Sequence, residues 1–417
     1  MACDVATRTA LAASALLWLL LASSRSVECA KRRQARASRQ VETRTGPTDE
    51  QVWDSGLIEK EMSYVTLMER GREYYEDTAS RRFNNFVLGY VTPWNRAGYV
   101  HAVTFRHKLD AVAPVWFQIK QQEGQKAPDI LGAHEVNQTW ISELKQGGKG
   151  PLVVPRFIVE AEPLQHVEML QNPQALLDAI RTTVLEHGFD GLVLETWAAW
   201  KSFNGLSNEQ FRAAALSLLG ALGQMLHGLG NKKLYLAVPP IYPAGEKTPW
   251  IETKDLDEMS KFVDGFSVMT YDFSTSQGRA GPNAPIDWVN MNLQLATGKL
   301  PMATAAAITP LTENALRKVL LGVNFYGWDF APERQGLSAV TANDLMGLLQ
   351  RHQPVLSWST DFEEHSFQYK DREGYQHTVW YPTPRALEMR LQIAREYNVG
   401  ISIWELGQGL ERFFDLL

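Results

Sequence analysis

The sequence predicts an α/β barrel: a (β/α)8 TIM barrel with a small insertion between strands 7 and 8. Three observations carry this. Eight apolar, β-rich runs recur from residue 86 onward. They are continuous rather than alternating, as in parallel strands buried on both faces. Helical patterns fall between them, the order expected of repeated βα units. A doubly wound open sheet is the alternative architecture.

In chain order the runs are FVLGYV (86–91), AVAPVWFQI (111–119), LVVPRFIV (152–159) and DGLVLET (190–196). KLYLAV (233–238), VDGFSVMTY (263–271), VLLGVNFY (319–326) and VGISIW (399–404) complete the set. The clearest intervening helix is 207–228, where Ser207 and Gln210 make a capping box ahead of FRAAALSLLGALGQML. Others lie near 173–187 and 384–397. The longest connection, 328–382, carries LSWSTD and HTVWYP and reads as an inserted hairpin. The barrel therefore spans 86–417.

Three segments precede it. Residues 1–24 read as a signal peptide: Arg8, the apolar run ALAASALLWLLLA, then small serines. The run is shorter than the about 20 apolar residues a membrane span needs. Residues 25–52 read as a solvated basic arm with Lys31, Arg32, Arg33, Arg36 and Arg39. Residues 53–85 read as a helical extension through Leu57, Met62, Val65 and Leu67. No later stretch is apolar enough to span a bilayer, so a secretory route is expected, ending in secretion or the lysosome. Cys3 and Cys29 are the two cysteines of the chain, and Cys3 leaves with the signal, so no internal disulfide is expected. Asn137-Gln138-Thr139 is an N-glycosylation acceptor, consistent with that compartment.

Composition is that of a globular protein, with 45% hydrophobic and 21% charged residues among 417. A net charge of −6 gives no reason to expect a nucleic-acid partner. There is no H-E-x-x-H, paired C-x-x-C, P-loop or G-x-S-x-G, and the nine histidines lack ligand spacing. No metal and no cofactor are predicted.

Barrel sites are built at the C-terminal ends of strands. Those ends carry Tyr90 and Trp94, Trp116, Glu160, Glu195 with Trp197, then Met269 with Tyr271 and Asp272. Tyr326 with Trp328 and Trp404 with Glu405 follow. Each aromatic taken singly serves a core as readily as a ligand. Together, indoles for sugar faces and carboxylates for hydroxyl groups point to an oligosaccharide ligand.

FDGLVLETW (189–197) resembles the fourth strand of glycoside hydrolase family 18, the chitinases and chitinase-like proteins, whose motif is D-G-x-D-x-D-x-E. VMTYD (268–272) resembles that family's sixth-strand M-x-Y-D, and SIW ending at Trp404 its eighth-strand tryptophan. VLGYVTPWN (87–95) and PVWFQI (114–119) are similar to the first two strands, so the resemblance covers 86–417. In active members the last Glu protonates the glycosidic oxygen, and the Asp two residues earlier orients the substrate's N-acetyl group. Here Asp190 and Gly191 match the opening, while Val193, Glu195 and Trp197 replace the second Asp, the third Asp and the catalytic Glu.

By strand alternation, Val193, Glu195 and Trp197 are all expected to face the barrel interior. Glu195 would then sit about 6.6 Å short of the donor position, beyond the about 3 Å reach of a general acid. The resemblance implies a chain without a catalytic residue: not an enzyme, but a chitinase-like lectin. Its ligands would be chitin-type oligosaccharides, amino sugars, or sugar-bearing bacterial products such as lipopolysaccharide. It also implies that Tyr271 binds an acetamide carbonyl, Asp272 contacts sugar polar groups, Trp404 floors the central subsite, and Tyr90 and Met269 line it. Trp197 either adds a stacking face or fills the vacated space. Two other roles stay open: a protein-interaction module, for which the resemblance implies the receptor stabilin-1, and a glycosidase using a displaced acid.

Overall fold

Three times among the described residues an aspartate stands one residue ahead of a buried strand, and each time it performs the same task. Its carboxylate accepts the N–H of a neighbouring strand: Val87 N to Asp110 at 2.8 Å, Val153 N to Asp190 at 2.7 Å, Leu234 N to Asp264 at 2.9 Å. Parallel strands leave such donors unpaired at their starts, and a buried N–H without an acceptor is costly. The Asp-Gly opening at 190–191 follows from this. Gly191 has φ +158°, and a Cβ there would lie 2.1 Å from the Lys233 carbonyl oxygen, so only glycine lets the strand start that close.

The computed structural model describes residues 41–417, apart from 122–123, 126, 149, 247–248 and 300–309. The signal at 1–24, Cys3, Cys29 and the basic cluster of the arm lie outside the described residues. Strands β1 (Thr45–Thr48) and β2 (Arg72–Tyr75) pair in parallel around a helix, Tyr64–Arg70, that Ser63 caps. The segment expected to be wholly helical thus holds one helix and one strand. It is bolted to the chain's end. Arg72 forks onto Glu411 at 2.5 and 2.7 Å. Arg412, fully buried, donates to the Glu50 and Arg70 carbonyls and to Glu73 and Asp415.

The main sheet begins with β3 (Val87–Val91), β4 (Ala111–Pro114), β5 (Phe117–Lys120) and β6 (Asp129–Leu131). It continues through β7 (Leu152–Val153), β8 (Arg156–Val159), β9 (Gly191–Glu195), β10 (Lys233–Val238), β11 (Gly265–Val268) and β12 (Val319–Asn324). The chain then builds a separate antiparallel sheet from β13 (Gly327–Ala331), β14 (Gly336–Val340), β15 (Ser357–Ser359), β16 (Glu364–Lys370) and β17 (Gln376–Tyr381). It returns to the main sheet with β18 (Gly400–Trp404).

Runs 111–119 and 152–159 were each expected to be one strand, and each is broken in two. Pro155 has no N–H to give, and the break follows from that. The halves still match: β4 pairs with β7 and β5 with β8, both in parallel. The eleven strands, ordered β6-β5-β8-β9-β10-β11-β12-β18-β3-β4-β7, therefore curl round with helices outside, consistent with an α/β barrel. Leu88, Tyr90, Val154, Val193, Tyr235 and Leu320 fill the interior, with Trp404 packed on them. The helix expected from Ser207 starts instead at Glu209, capped by Asn208 Oδ1 on Phe211 N at 3.0 Å. Among the described residues no helix is long and apolar enough to cross a membrane.

One buried ion pair ties the antiparallel sheet down. Arg390, 5% exposed, donates to Glu364, 1% exposed, at 3.1 Å and to the carbonyls of Ala284, Phe362, Glu363 and Ala386. Glu364 also accepts the N–H groups of Asn283 (3.0 Å) and Ala284 (2.7 Å). Removing one partner of such a pair strands a charge. Arg390→Met is expected to lower stability by about 3–5 kcal/mol, read from urea midpoints.

Candidate functional site

Strand β9 ends at Glu195, and that fixes the site's centre. Val193 points into the barrel core, so Glu195, two residues on, shares its face. There it meets Arg156 of β8, whose Nε donates to Glu195 Oε2 at 2.5 Å. The side chains are 13% and 22% exposed, so the pair sits recessed in the opening. Both act electrostatically on Tyr90 and Tyr271, so the four side chains lie close together. Arg156 was not among the expected site residues. Its signal was there: it is the one charge inside an otherwise apolar strand run, and a buried charge needs a partner.

Tyr90 is buried beneath this pair. Its hydroxyl donates to Ser267 at 2.9 Å, and Ser267 continues to Ser402 at 3.0 Å, linking β3, β11 and β18. Trp404, half-buried, leans on the Tyr90 ring with centroids 5.3 Å apart. Burial, reinforced by Tyr90, Asp272 and Glu195, pushes the Tyr271 phenol well above its ordinary value, so it stays a neutral donor. Met269, two residues earlier just past the end of the strand, is half-buried.

Asp272 is held unusually firmly. It lies in the left-handed region at φ +61°, with its N–H on Asn283 Oδ1 at 2.7 Å. Its Oδ1 accepts from Tyr326 Oη at 2.5 Å and Trp328 Nε1 at 2.9 Å. Tyr326 and Trp328 were read as strand-end aromatics; the structure makes them the clamp of this carboxylate. Oδ2 has no protein donor among the described residues. One oxygen is thereby fixed and the other remains available to a ligand hydroxyl or amide.

Four expected site residues need correction or a narrower role. Trp116 is fully buried, donates to Tyr99 Oη at 2.8 Å and packs with Phe117, Trp140 and Phe189, so it is core. Trp94 is 71% exposed on the loop after β3, an outlying surface rather than a wall of the centre. Trp197 does not continue the strand. Thr196 leaves the extended region (φ −156°, ψ −23°) and Trp197 opens a helix, Trp197–Ser202. Its indole is 2% exposed, donates to the Trp250 carbonyl at 3.1 Å, packs near Trp200, and walls a flank cavity of about 1050 Å³ with Arg212 and Phe262.

The fourth is Glu405, which is fully buried and cannot touch a ligand directly. It accepts Asn95 Nδ2 at 2.6 Å and Gly407 N at 3.0 Å, tying the loop after β3 to the one after β18. Burial pushes its carboxyl up to about 7 against those hydrogen bonds and the charge of His101. The folded protein therefore holds a proton that the unfolded chain releases near 4.5. Stability on this account is full below about pH 4.5, falls as pH rises toward 7, and is flat above, a loss of up to about 3 kcal/mol. Glu405→Gln is expected to flatten that slope in urea titrations run between these pH values, whatever its effect on absolute stability.

Residues 163–409 match the family model for glycosyl hydrolases family 18. A putative sporulation-specific glycosylase, YdhD of Bacillus subtilis, is 26% identical over 266 residues, covering 60% of this chain and 57% of that protein. The chain thus spans somewhat under three fifths of that relative. Among solved structures, a chitinase from Chromobacterium violaceum superposes with a TM-score of 0.63 at 20% identity, over 80% of this chain and 98% of that one. The spore cortex-lytic enzyme SleL of Bacillus cereus gives 0.62 at 18%, over 80% and 73%. At these identities the two structures speak for the fold. The expectation that the chain is not an enzyme is corrected by these findings: its relatives and neighbours bear the names of glycosylases and lytic enzymes. The indole on which that expectation stood is packed on the flank. The chain belongs to glycosyl hydrolases family 18.

Proposed function

We infer that the opening around Glu195, Tyr271, Asp272 and Trp404 binds oligosaccharides carrying N-acetylated amino sugars, as a lectin-like site. The observation that carries this is the clamp on Asp272. A carboxylate locked at one oxygen and open at the other, beside a neutral phenol and an indole on a tyrosine, offers an acceptor, a donor and a sugar platform. Sugars are recognised by that combination. Eight strand directions with helices outside support a (β/α)8 reading, in which these groups share the C-terminal mouth and the sheet β13–β17 is an insertion beside it.

A second reading is hydrolysis of the bound glycan with Glu195 taking part. The departure of Trp197 from the mouth favours it, because Glu195 becomes the last side chain of β9 facing inward. Arg156 Nε donates to Glu195 Oε2 at 2.5 Å, which fixes how that carboxylate is presented to a bound sugar. A secretory route is part of the proposal, and it brings Asn137 into play. Asn137 is exposed, and its Oδ1 caps a helix on Trp140 N at 3.0 Å while a glycan would attach at Nδ2, so cap and linkage are compatible.

Chitin oligosaccharides are expected to quench tryptophan fluorescence, with affinity lowered about tenfold or more by Trp404→Ala and by Asp272→Ala. Unchanged affinity in both variants would remove the site from the mouth. Mass spectrometry of products in the same mixtures decides the second reading: shortened oligosaccharides, absent with Glu195→Gln, establish turnover. Protein from a secreting eukaryotic host should shift in mass on treatment with a peptide N-glycosidase, and Asn137→Gln should abolish the shift.

A further inference from the structure

At the end of the barrel opposite the candidate site, the strand starts leave a small cleft under the N-terminal segment. Its volume is about 200 Å³, and its walls include Asp77, Ser80, Arg81, Arg82, Lys108 and Asp415. Lys108 is the anomaly. Its side chain belongs to a residue only 3% exposed, yet among the described residues its ammonium has no hydrogen-bond acceptor and no ion-pair partner within 4.0 Å. The ammonium is not sealed in the core: its Nζ keeps solvent contact where the residue lines the cleft. The nearest charges it senses are Asp415 and Asp77, and neither reaches it.

Those acids are occupied elsewhere. Asp415 accepts Tyr75 N at 2.9 Å and Arg412 at 3.1 Å. Asp77 accepts the N–H groups of Ala79 and Ser80 at 3.0 and 3.1 Å, and Ser80 Oγ at 2.5 Å. Arg81 is spent as well, forked onto Asp110 at 2.9 Å twice and bonded to the Phe83 and Asn85 carbonyls. Arg82 makes one side-chain bond, to Gln51, through one terminal nitrogen. Arg412 also meets Glu73 and Glu50, so Asp415 shares that guanidinium with two other acids and still acts on Lys108 at a distance. What the cleft lacks, among the described residues, is an acceptor in direct contact with the Lys108 ammonium. Its volume is several times the about 30 Å³ share of one water.

We propose that this cleft is a binding site for a small oxyanion, a phosphate or sulfate group, held by Lys108 and Arg82. Charge-assisted bonds from an ammonium and a guanidinium are the usual means of holding such a group. Burial pulls the Lys108 ammonium below its ordinary value, and a bound oxyanion would reverse that pull. Because Asp77 and Ser80 come from the N-terminal segment and Lys108 from the barrel, the anion would fasten one to the other. The same chemistry arrives either as a free ion or as a sulfate or phosphate ester on a sugar.

The test uses the full chain. Sodium sulfate titrated calorimetrically into the wild type, with sodium chloride at matched ionic strength as reference, is expected to give saturable binding and a rising thermal midpoint. Lys108→Gln and Arg82→Gln are each expected to weaken it by about tenfold or more. Sulfate that produces no saturable heat in the wild type overturns the proposal without recourse to any variant and leaves a water-filled cleft. Equal binding by folded Lys108→Gln overturns it too. Titration with N-acetylglucosamine 6-sulfate separates the sources: binding as tight as free sulfate admits an ester, and none at all restricts the site to the free ion.

Discussion

Side chains alternate across a strand only while the backbone stays extended, and in this chain that condition ends one residue past Glu195. Everything distinctive about the candidate site depends on where that limit falls. Had β9 run two residues further, Trp197 would face the interior and cover the carboxylate behind it. Thr196 instead turns out of the extended region, and the next residue begins a helix. The indole then follows helical geometry onto the flank, where the Trp250 carbonyl accepts its N–H. Inside the barrel, the terminal position passes to a carboxylate.

That carboxylate is not isolated, and its partner shapes what the opening offers. An acid held by an arginine is fixed in orientation, whereas one buried among apolar groups is driven toward the neutral form. Both situations occur within this one site. Glu195 has Arg156 at 2.5 Å. Glu405, fully buried with only neutral donors in contact, is pushed up to about 7. Asp272 is a third case, ordered by a phenol and an indole rather than by a cation. Three carboxylates at strand ends thus have three different sets of partners, set by the fold rather than by their sequence context.

Strand runs were legible because buried parallel strands require continuous apolar stretches, and all eight runs contain strands. Their internal breaks were less legible. Pro155 announced one, but the turn at Val115 and Trp116 depends on how Trp116 packs against Phe117, Trp140 and Phe189. Of the site residues, Tyr90, Tyr271, Asp272 and Trp404 could be placed by strand-end position alone. Arg156 was visible as a charge in an apolar run yet needed Glu195 across the strand pair to acquire meaning. Residues 327–381 form five antiparallel strands where a hairpin was expected. Among the anchoring contacts, Arg390 reaches the Ala284 carbonyl 106 positions away and Glu364 the N–H of Asn283 81 positions away, and no local pattern encodes that.

The two ends of the sheet are built on opposing principles. At the strand starts, Asp110, Asp190 and Asp264 each satisfy a neighbouring strand's N–H, and Asp110 also takes the fork of Arg81. Arg72 and Arg412 fasten the N-terminal segment to the chain's end, so charge at this face is spent on holding structure. At the strand ends the same residue types are left partly unspent: one oxygen of Asp272, the phenol of Tyr271, the face of Trp404. A group committed to the fold cannot also bind a ligand, because each lone pair and each proton serves one partner at a time. Glu405 marks the boundary between the two uses. It is tied like a structural acid, but carries a raised proton affinity next to Trp404, so the order of this strand end responds to pH through a group that itself meets no ligand.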